Sequence, residues 1–319
     1  MQQHVIALAG GVGGAKLAHG LAVLLPPEEL TVVVNVGDDF SHLGFPVCPD
    51  LDTVLYTLAG IANPETGWGI AGESWNFMAA MQALGGETWF RLGDKDIATH
   101  TRRRQLLAEG QTLAQAIDAL RRAHGIGCAI LPASDDALRT RVLTEQGELD
   151  FQVYFVREQC RPVVRGLRYE GAEAAQPAKM QGRAWTETDC AGIVICPSNP
   201  YLSIAPILAM PAARRCLAER KCPALAVSPI IGGAAVKGPA AKLMREFGIE
   251  PSARAVAEYY RGLIDYLLID QADADQAEAI AALGIRPVLA DILMRDAADR
   301  RRLGQLCLDI LGRHGAMVS

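Results

Sequence analysis

The chain has 319 residues, of which 50% are hydrophobic and 21% are charged, and its formal net charge is −5 at pH 7. This balance excludes an intrinsically disordered chain, and the negative charge argues against nucleic acid or an anionic membrane surface as a partner. No stretch reaches the roughly 18 uninterrupted apolar residues of a membrane span. The length suits one large α/β domain or two domains.

The chain opens with a pattern that predicts a strand, a tight turn and a helix, HVIALAGGVGGAKLAHGLAVLL. No Lys or Arg precedes this run, and Lys16 and His19 interrupt it, so it does not predict a signal peptide. Gly11, Gly13 and Gly14 would let a phosphate approach the N-terminus of the helix, with Lys16 beside it. Their spacing matches neither the P-loop nor the dinucleotide fingerprint, so a simple tight turn stays open.

Four aspartates lie within fifteen residues after a predicted second strand, LTVVVNVGDD. Asp38 and Asp39 follow the strand at the edge where open α/β sheets build their sites, although a turn would also explain them. Asp50 and Asp52 stand at the start of a predicted helix, where Asp50 as N-cap and Asp52 as a first-turn charge need no ligand. If the sheet brings the two pairs together, their oxygens would suit Mg²⁺.

Two further segments carry aromatic and polar candidates. Trp68 and Trp75 could stack on a flat ring or belong to the core. Asp94 and His100 follow ETWF, a candidate strand. His100 is a candidate general base, but a polar loop that caps the next helix is the simpler interpretation. Because no basic patch is interleaved with aromatic residues, single-stranded nucleic acid is not an expected partner.

Apolar runs and amphipathic stretches alternate through the rest of the chain. The runs that predict strands are IGCAILPASDD, AGIVICPSNP, PALAVSPIIGG, DYLLIDQAD and IRPVLAD. The stretches that predict helices are TLAQAIDALRRAHG, PAAKLMREFG, SARAVAEYYRGLI and RDAADRRRLGQLCLDILGRHG. Strands that are apolar throughout and alternate with helices predict an α/β fold whose mostly parallel sheet has helices on both faces.

One region departs from this alternation. LRTRVLTEQGELDFQVYFVRE alternates apolar and polar residues around a turn and predicts an antiparallel hairpin. A connection poor in large apolar side chains follows it. We therefore expect residues 136–188 to form a small inserted subdomain, and residues 1–135 and 189–319 to form the α/β core.

Several predicted strands end in polar or glycine-rich turns. These turns contain Ser134, Ser198, Asn199, Gly232, Gly233 and Lys237. Each could be a structural turn, but hydroxyls, an amide and a lysine could also contact a base or a phosphate. Because the carboxyl ends of parallel strands share one edge, their joint placement favours a nucleotide-sized ligand in the crevice.

The eight cysteines show no CxxC pair and no metal-type spacing. A disulfide framework or a zinc site is therefore not expected. The sequence predicts reduced, mostly buried thiols in a cytoplasmic protein.

Taken together, these stretches resemble the 2-phospho-L-lactate transferase family of deazaflavin coenzyme F-420 biosynthesis. The matching segments run in order from residue 8 to residue 239: LAGGVGGAK, VNVGDDF, PDLDTVLYTLAG, GWGIAGESW, RLGDKDIATH, LPASDD, CPSNPYLSI and SPIIGGAAVKGP. The resemblance implies a Rossmann-like core, a homodimer and an Mg²⁺-dependent transfer. In that family a phospho-acid group of the 2-phospho-L-lactate, phosphoenolpyruvate or phosphoglycerate type passes from a guanosine diphosphate-linked donor to the ribityl hydroxyl of the deazaflavin Fo. GMP is released and coenzyme F-420-0 or a variant forms.

The resemblance also suggests roles for the candidate residues. The hypothesis for the acidic, catalytic centre is Asp38, Asp39, Asp50 and Asp52, with Asp39 and Asp50 as the Mg²⁺ ligands. Gly11, Gly13, Gly14 and Lys16 would line the phosphate region, Ser198 and Asn199 the guanosine, and Gly232, Gly233 and Lys237 the rest of the donor. Trp68 and Trp75 would form the deazaflavin pocket. Asp94, His100 and Ser134 are further candidates for substrate contacts.

Two alternatives remain open. The chain also resembles the gluconeogenesis-factor family, whose glycine-rich start is similar, and this would make it a regulatory protein that binds nucleotide sugars. A dinucleotide-dependent oxidoreductase is less favoured, because Lys16 stands where the last glycine of GxGxxG should be.

Overall fold

The computed structural model of the chain describes residues 4–312. Its strands are β1 Val5–Ala9, β2 Leu30–Val34, β3 Phe40–His42, β4 Phe45–Val47, β5 Ala129–Pro132, β6 Arg139–Thr144, β7 Gly147–Asp150, β8 Val164–Glu170, β9 Lys179–Met180, β10 Arg183–Ala184, β11 Gly192–Ile195, β12 Ala224–Val227, β13 Ile230–Ile231, β14 Ala234–Ala235, β15 Tyr266–Asp270 and β16 Arg286–Ala290. Its α-helices are α1 Gly11–Ala22, α2 Pro49–Leu58, α3 Asn76–Ala83, α4 Asp94–Ala108, α5 Leu113–Ala123, α6 Ala205–Leu208, α7 Pro211–Ala218, α8 Ala240–Glu246, α9 Ala253–Tyr259, α10 Ala277–Ala281 and α11 Ala297–Ile310.

Seven parallel strands form the central sheet, in the order β5-β2-β1-β11-β12-β15-β16. Numbered along the chain, this order is 3-2-1-4-5-6-7, which is the dinucleotide-binding Rossmann order with one further strand. Every residue of β1 and β2 is buried, as expected for strands covered on both faces. The predicted α/β class with a Rossmann-like parallel sheet is confirmed.

The direction of the chain changes at the centre of this sheet. From β1 the chain moves outward to β2 and β5, then returns to β11 on the other side of β1 and continues to β16. Because crossovers between parallel strands are right-handed, the two directions place their connecting helices on opposite faces. A crevice therefore opens at the carboxyl ends of β1 and β11.

The predicted elements of this core are confirmed. All seven predicted strands belong to the central sheet, and the amphipathic stretches form α1, α5, α8, α9 and α11. The last of these stretches was predicted to continue through residues 313–315, which lie outside the described residues. Within the described part of the chain, no helix combines the length and the apolar character needed to cross a membrane.

Between β5 and β11 the chain forms an antiparallel sheet in which β6 pairs with β7 and β8. The predicted hairpin is confirmed for β6 and β7, but its prediction through FQVYFVRE is wrong, since Val153–Arg157 forms a π-helical turn. The rings of Phe151 and Phe155 stack there at 5.4 Å, because residues four apart share one face of a helical turn. The limits of the inserted subdomain stay a prediction.

The predicted strand ETWF is also wrong, because residues 87–90 have no strand pairing. Their aromatic side chains instead pack against the β3–β4 hairpin. The ring centroids of Phe40 and Phe90 lie 4.9 Å apart, and those of His42 and Trp89 lie 5.1 Å apart. Side-chain packing in a small second core thus holds these residues without a strand.

The cysteines agree only in part with their prediction. All eight are free thiols, as expected, but only Cys48, Cys128, Cys196 and Cys307 are buried. The prediction of mostly buried thiols therefore holds for half of them, and the other four are partly exposed.

Helices α1 and α11 pack through backbone contact at two glycines. A Cβ atom at Gly304 would lie 2.9 Å from the carbonyl carbon of Gly20, which is closer than packed atoms come. Lys16 of α1 donates to the carbonyl of Met294, just before α11, at 2.8 Å. These contacts with α11 and Met294 fix α1, the helix that begins at the crevice.

We expect Gly20→Ala to lower the free energy of unfolding by about 1–3 kcal/mol, because a methyl group there would press on the backbone of Arg300. The same change in an uncrowded helix interior usually gives a gain of about 0.5–1 kcal/mol. Urea unfolding measures the difference. Gly166→Ala in β8 is the matched control, because its Cβ would lie 3.5 Å from Leu143 and should cost little. Equal stability of Gly20→Ala and the parent would contradict the close packing.

Candidate active site

A cavity of about 530 Å³ lies at the crevice between β1 and β11. This volume suits a ligand of nucleotide size. The predicted site residues that line it are Gly11, Gly13, Lys16, Asp38, Asp50, Asp52, Trp68, His100, Ser198, Asn199 and Lys237. The structure therefore brings together most of the candidates, from segments that are far apart in sequence.

The floor of the cavity is built around the side chain of Asn35, at the end of β2. Its amide nitrogen donates to Asp38 Oδ1 and to Asp50 Oδ2, both at 3.0 Å. Its amide oxygen accepts from the backbone N–H of Gly37 at 2.8 Å. One buried amide thus holds the two carboxylates next to each other, and the two aspartate pairs of the sequence meet here.

Asp50 also fixes the start of α1. Its Oδ1 accepts from the N–H of Gly11 at 2.7 Å, and Ser198 Oγ accepts from the N–H of Gly10 at 3.2 Å. A Cβ at Gly10 would lie 2.5 Å from Asp50 Oδ2, so glycine is needed for this approach. The simple N-cap interpretation of Asp50 is wrong, because Cys48 occupies the N-cap of α2 and Asp50 caps α1 instead.

The buried carboxylates have raised pKa values. Burial raises the pKa of Asp50 to about 6, against the lowering effect of Asn35 and Gly11. Burial, and then the charge of Asp50, raise the pKa of Asp38 well above its usual range. Burial also raises the pKa of Asp39 to about 7, although Arg139 opposes it. Negative charge at this floor is therefore costly unless a positive group joins it.

Asp52 belongs to a second, charge-balanced network. The fully buried guanidinium of Arg103 forms an ion pair with both carboxylate oxygens of Asp52. Burial alone would lower the pKa of Arg103, but Asp52 raises it above its usual range. Arg103 also donates to the carbonyl of Pro46 at 3.0 Å. The ion pair thus ties α4 to the start of α2.

His100 connects this network to Asp96. Its Nδ1 lies 3.2 Å from Arg103 Nη1, and because a guanidinium can only donate, Nδ1 must accept. The proton of a neutral ring therefore lies on Nε2, which faces Asp96 Oδ1 at 3.4 Å. Asp96 also accepts from the hydroxyl of Tyr56 at 2.5 Å. With Nδ1 occupied, this arrangement disfavours His100 as a general base.

Two groups of residues could hold a metal ion. Asp52, Asp96 and His100 offer ligand atoms that all lie within 4.8 Å of one another. Arg103, however, already balances the charge of Asp52. Asp38 and Asp50 offer only oxygen atoms, and neither forms an ion pair with a Lys, Arg or His side chain among the described residues. The chemistry of the donors therefore fits a hard cation better at the Asp38–Asp50 pair.

Two lysines, Lys16 and Lys237, also line the cavity. Burial lowers the pKa of Lys16, and the positive charges of Arg300 and Lys237 lower it further. Lys237 donates from Nζ to the carbonyl of Thr66. Burial also lowers its pKa. Neither ammonium has a carboxylate partner among the described residues, so an anion between them would be favourable.

Asn199 lines the cavity and has a hydrogen-bond donor without a partner among the described residues. Its side-chain oxygen accepts from the N–H groups of Tyr201 and Leu202, which fixes the orientation of the amide. Its Nδ2 atom is buried without a partner in the structure as described. Such groups usually bind something, so Asn199 is suited to contact a ligand oxygen or ring nitrogen.

An aromatic wall completes the cavity. Trp68 lines it with 52% of its surface exposed, and the stacked rings of Phe151 and Phe155 face the same cavity. Trp75 does not line the cavity, and the guanidinium of Arg91 lies 4.0 Å above its ring instead. The wall could stack against a flat ligand at Trp68 and at the two phenylalanines.

The other predicted site residues lie outside the cavity, and their roles stay predictions. Asp94 caps α3 by accepting from the N–H groups of Asn76 and Phe77. The hydroxyl of Ser134 donates to the carbonyl of Gln176 at 2.6 Å. The other predicted site residues that do not line the cavity are Gly14, Asp39, Gly232 and Gly233. Gly14 packs beside Ser198, and the two later glycines form the β13–β14 turn.

The sequence analysis missed three groups that shape this site. Asn35 is the only strongly polar residue in its apolar run, which was an available signal. His100 was a predicted candidate, but the link to Arg103 was missed, although a spacing of four and then three residues places Asp96, His100 and Arg103 on one helix face. Phe151 and Phe155 have the same helical spacing, but the run around them was interpreted as a strand.

Comparison with known proteins gives relatives over nearly the whole chain. Residues 5–304 match the family described as 2-phospho-L-lactate transferase CofD. The chain is 42% identical to the phosphoenolpyruvate transferase of Kitasatospora aureofaciens, and the match covers 98% of this chain and 99% of that protein. It is 40% identical to the 2-phospho-L-lactate transferase of Methanosarcina acetivorans, over 96% of this chain and 98% of that protein.

Solved structures agree on the fold. The X-ray structure of protein BH3568 from Bacillus halodurans superimposes with a TM-score of 0.62 at 15% sequence identity. The match covers 97% of this chain and 100% of that one. At this level of identity the likeness shows the shared architecture and nothing about activity.

We expect Arg103→Met to lower the free energy of unfolding by about 3–5 kcal/mol, because it leaves Asp52 buried without a counter-charge. The double variant Asp52→Asn with Arg103→Met should recover part of this loss. Urea unfolding of the three proteins measures both effects. Arg102→Met is the matched control, since the Arg102 side chain is 52% exposed and pairs loosely with Glu109. A double variant no more stable than Arg103→Met would contradict the charge argument.

We also expect the stability of the metal-free protein to fall as the pH rises from about 4 to about 7. The folded-state pKa of Asp50, about 6, lies above its unfolded value. The stabilising, protonated form is therefore complete at low pH and is lost as the pH passes 6, at a cost of about 1–3 kcal/mol. Urea unfolding in EDTA should show a smaller fall for Asp50→Asn.

Asp94→Asn provides the control for this pH dependence. Hydrogen bonds from Ser74 and the backbone of Phe77 lower the pKa of Asp94 to about 2, so this group titrates below the window. The variant should keep the parent's slope between pH about 4 and about 7. Parallel curves for the parent and Asp50→Asn would contradict the assignment.

Proposed function

We propose, since this chain belongs to the 2-phospho-L-lactate transferase CofD family, that it moves a phospho-acid group from a guanosine diphosphate-linked donor to the ribityl hydroxyl of Fo. The chain is an enzyme of a transferase family that acts in coenzyme F-420 biosynthesis. In the proposed step the hydroxyl oxygen forms a new bond to the acid-bearing phosphorus. The P–O bond to GMP breaks, and GMP leaves.

One observation carries this proposal. The cavity has an acidic floor, where Asn35 holds Asp38 and Asp50 together, and it is also lined by Lys16 and Lys237, which donate to backbone carbonyls and have no carboxylate partner among the described residues. A diphosphate bound between them would be met by positive charge from Lys16 and Lys237. Preorganised charges of this kind favour phosphoryl transfer, in which negative charge moves to the leaving group.

Mg²⁺ fits the acidic floor. Asp50 would hold it, because two donors fix the orientation of this carboxylate and Mg²⁺ commonly uses one or two carboxylates with waters and phosphates. Bound Mg²⁺ would offset charge on the phosphoryl oxygens. Asp39, the other predicted ligand, does not line the cavity, and we therefore propose Asp50 as the ligand, with Asp38 beside it and left to face the attacking hydroxyl.

Asp38 is our candidate for the residue that activates the attacking hydroxyl. It lines the cavity, has one hydrogen-bond donor to its Oδ1, and has a pKa raised above its usual range by burial. A carboxylate with a raised pKa is a better proton acceptor than an ordinary one. We propose that Asp38 orients the hydroxyl and takes its proton as the new P–O bond forms.

The remaining walls suit the two organic groups. The free amide N–H of Asn199 would bind the guanosine or its phosphate, with Ser198 beside it. Trp68 and the stacked pair Phe151 and Phe155 offer flat apolar surfaces for the deazaflavin ring. The predicted homodimer and cytoplasmic location stay predictions.

The transferase proposal is favoured over both alternatives. The relatives over the full chain are named transferases, which disfavours a non-enzymatic regulator that binds nucleotide sugars. The acidic floor would also repel the pyrophosphate of a dinucleotide in the absence of a cation. The relatives include phosphoenolpyruvate and 2-phospho-L-lactate transferases, so an assay with each donor decides which acid is transferred.

The decisive assay incubates the purified protein with Fo, Mg²⁺ and each guanylylated phospho-acid, and follows product and GMP by mass spectrometry. We expect one donor to be preferred and EDTA to abolish turnover. Binding of the donor without transfer to Fo, with every acid, would reject the proposed function.

Two variants separate the proposed roles at the acidic floor. Asp50→Asn should lose the rise in melting temperature that Mg²⁺ gives and lose at least about 100-fold in kcat/KM. Asp38→Asn should lower kcat by about 10²–10⁴-fold with little change in KM. Asp96→Asn controls for the alternative metal site. A Mg²⁺ shift lost in Asp96→Asn and kept in Asp50→Asn would move the metal to the His100 group.

A further inference from the structure

A pair of thiols lies at the edge of the sheet opposite the cavity. Cys190 stands two residues before β11, and Cys222 stands two residues before β12. These strands are parallel neighbours, so the two cysteines lie side by side at their amino ends. Their Sγ atoms are 3.1 Å apart. The cavity lies at the other, carboxyl end of the sheet, and the proposed transfer does not use this pair.

The pair is accessible, in contrast to the core cysteines. Cys190 and Cys222 are both partly exposed, whereas Cys196 and Cys307 are buried. The two sulfur atoms therefore belong to partly exposed cysteines, not to those of the buried core. Only a small displacement of the side chains would bring them to the roughly 2.05 Å of a disulfide bond.

The surroundings make the two thiols unequal. The hydrogen bond with Cys190 and the charge of Arg220 together lower the pKa of Cys222 to about 7, although burial and Asp265 oppose this. Arg220 forms an ion pair with Asp265 at 2.6 Å. The same hydrogen bond raises the pKa of Cys190. Cys222 thus supplies a thiolate near neutral pH, and Cys190 holds a proton beside it.

A third thiol, Cys216 of α7, lies close enough to feel the charge of Cys222. Burial raises its pKa, and the charge of Cys222 raises it further. It is partly exposed like the pair but does not form the close contact. Cys216 is therefore an internal control for simple accessibility.

We propose that Cys190 and Cys222 form a redox-modifiable dithiol that a low-molecular-weight disulfide converts into an intrachain disulfide. The Cys222 thiolate attacks one sulfur of the reagent, forms a mixed disulfide and releases one thiolate. Cys190 then loses its proton and attacks Cys222 Sγ, which releases the second thiol. The two protein thiols are oxidised, and the reagent is reduced to two thiols.

The disulfide would join the amino ends of two central strands. It would close a loop between residues 32 apart in the chain, which restricts the unfolded state. Because it forms away from the cavity, it would stabilise the sheet without covering the crevice. We expect the melting temperature of the oxidised protein to rise by about 5 °C.

The test treats the reduced, full-length protein with oxidised glutathione at neutral pH. Non-reducing digestion and mass spectrometry should then find one peptide pair, joined through Cys190 and Cys222, that is two hydrogens lighter than the free peptides. Calorimetry should show the higher melting temperature, and dithiothreitol should reverse both results.

Variants identify the attacking sulfur. Cys190→Ser should trap a stable glutathione adduct on Cys222, Cys222→Ser should remove both the adduct and the disulfide, and Cys216→Ser should behave as the parent does. A lasting glutathione adduct in the parent, a disulfide that includes Cys216, or no modification at all would overturn the proposal. Each of these three outcomes is measured on the parent protein. The test therefore does not depend on whether a variant folds.

Discussion

The site depends on one buried side chain, the amide of Asn35. Two carboxylates that share a buried floor repel each other, and the energy of that repulsion rises as water is removed. The Asn35 amide offsets part of it by donating to Asp38 and Asp50 with one nitrogen atom. The carbonyl oxygen of the same amide is held by the Gly37 N–H, so the group cannot turn away. The end of β2 thereby defines where negative charge is concentrated.

The surrounding elements follow from that placement. Asp50 reaches the first residues of α1 only because Gly10 has no side chain, and α1 is in turn fixed against α11 by a glycine contact. The neighbouring Asp52–Arg103 ion pair adds no net charge, so it stabilises the start of α2 without competing for a cation. The charge-balanced pair of Asp52 and Arg103 therefore stabilises the fold. The neighbouring pair of Asp38 and Asp50, which has no counter-charge, is the one suited to bind a cation.

Much of the fold was predictable, because its strands are apolar throughout and its helices have regular spacing. The positions of residues 87–90 and 151–157 were not, since short aromatic runs have similar local preferences in strands, loops and helical turns, and packing decides between them. The acidic centre was predictable as a set of residues but not as a geometry. Sequence spacing could not show that Asp50 contacts Asn35 while the buried Asp39 does not line the cavity.

The contact between Lys237 and Thr66 joins two segments that are far apart in the chain and that both contribute residues to the cavity. Lys237 is the side chain we assign to the donor, and Thr66 lies two residues before Trp68, which we assign to the acceptor. The ammonium has three donors, so Lys237 can bind an anion while it keeps the Thr66 carbonyl. An anion at the donor position would thus be joined through one ammonium group to the segment that carries Trp68.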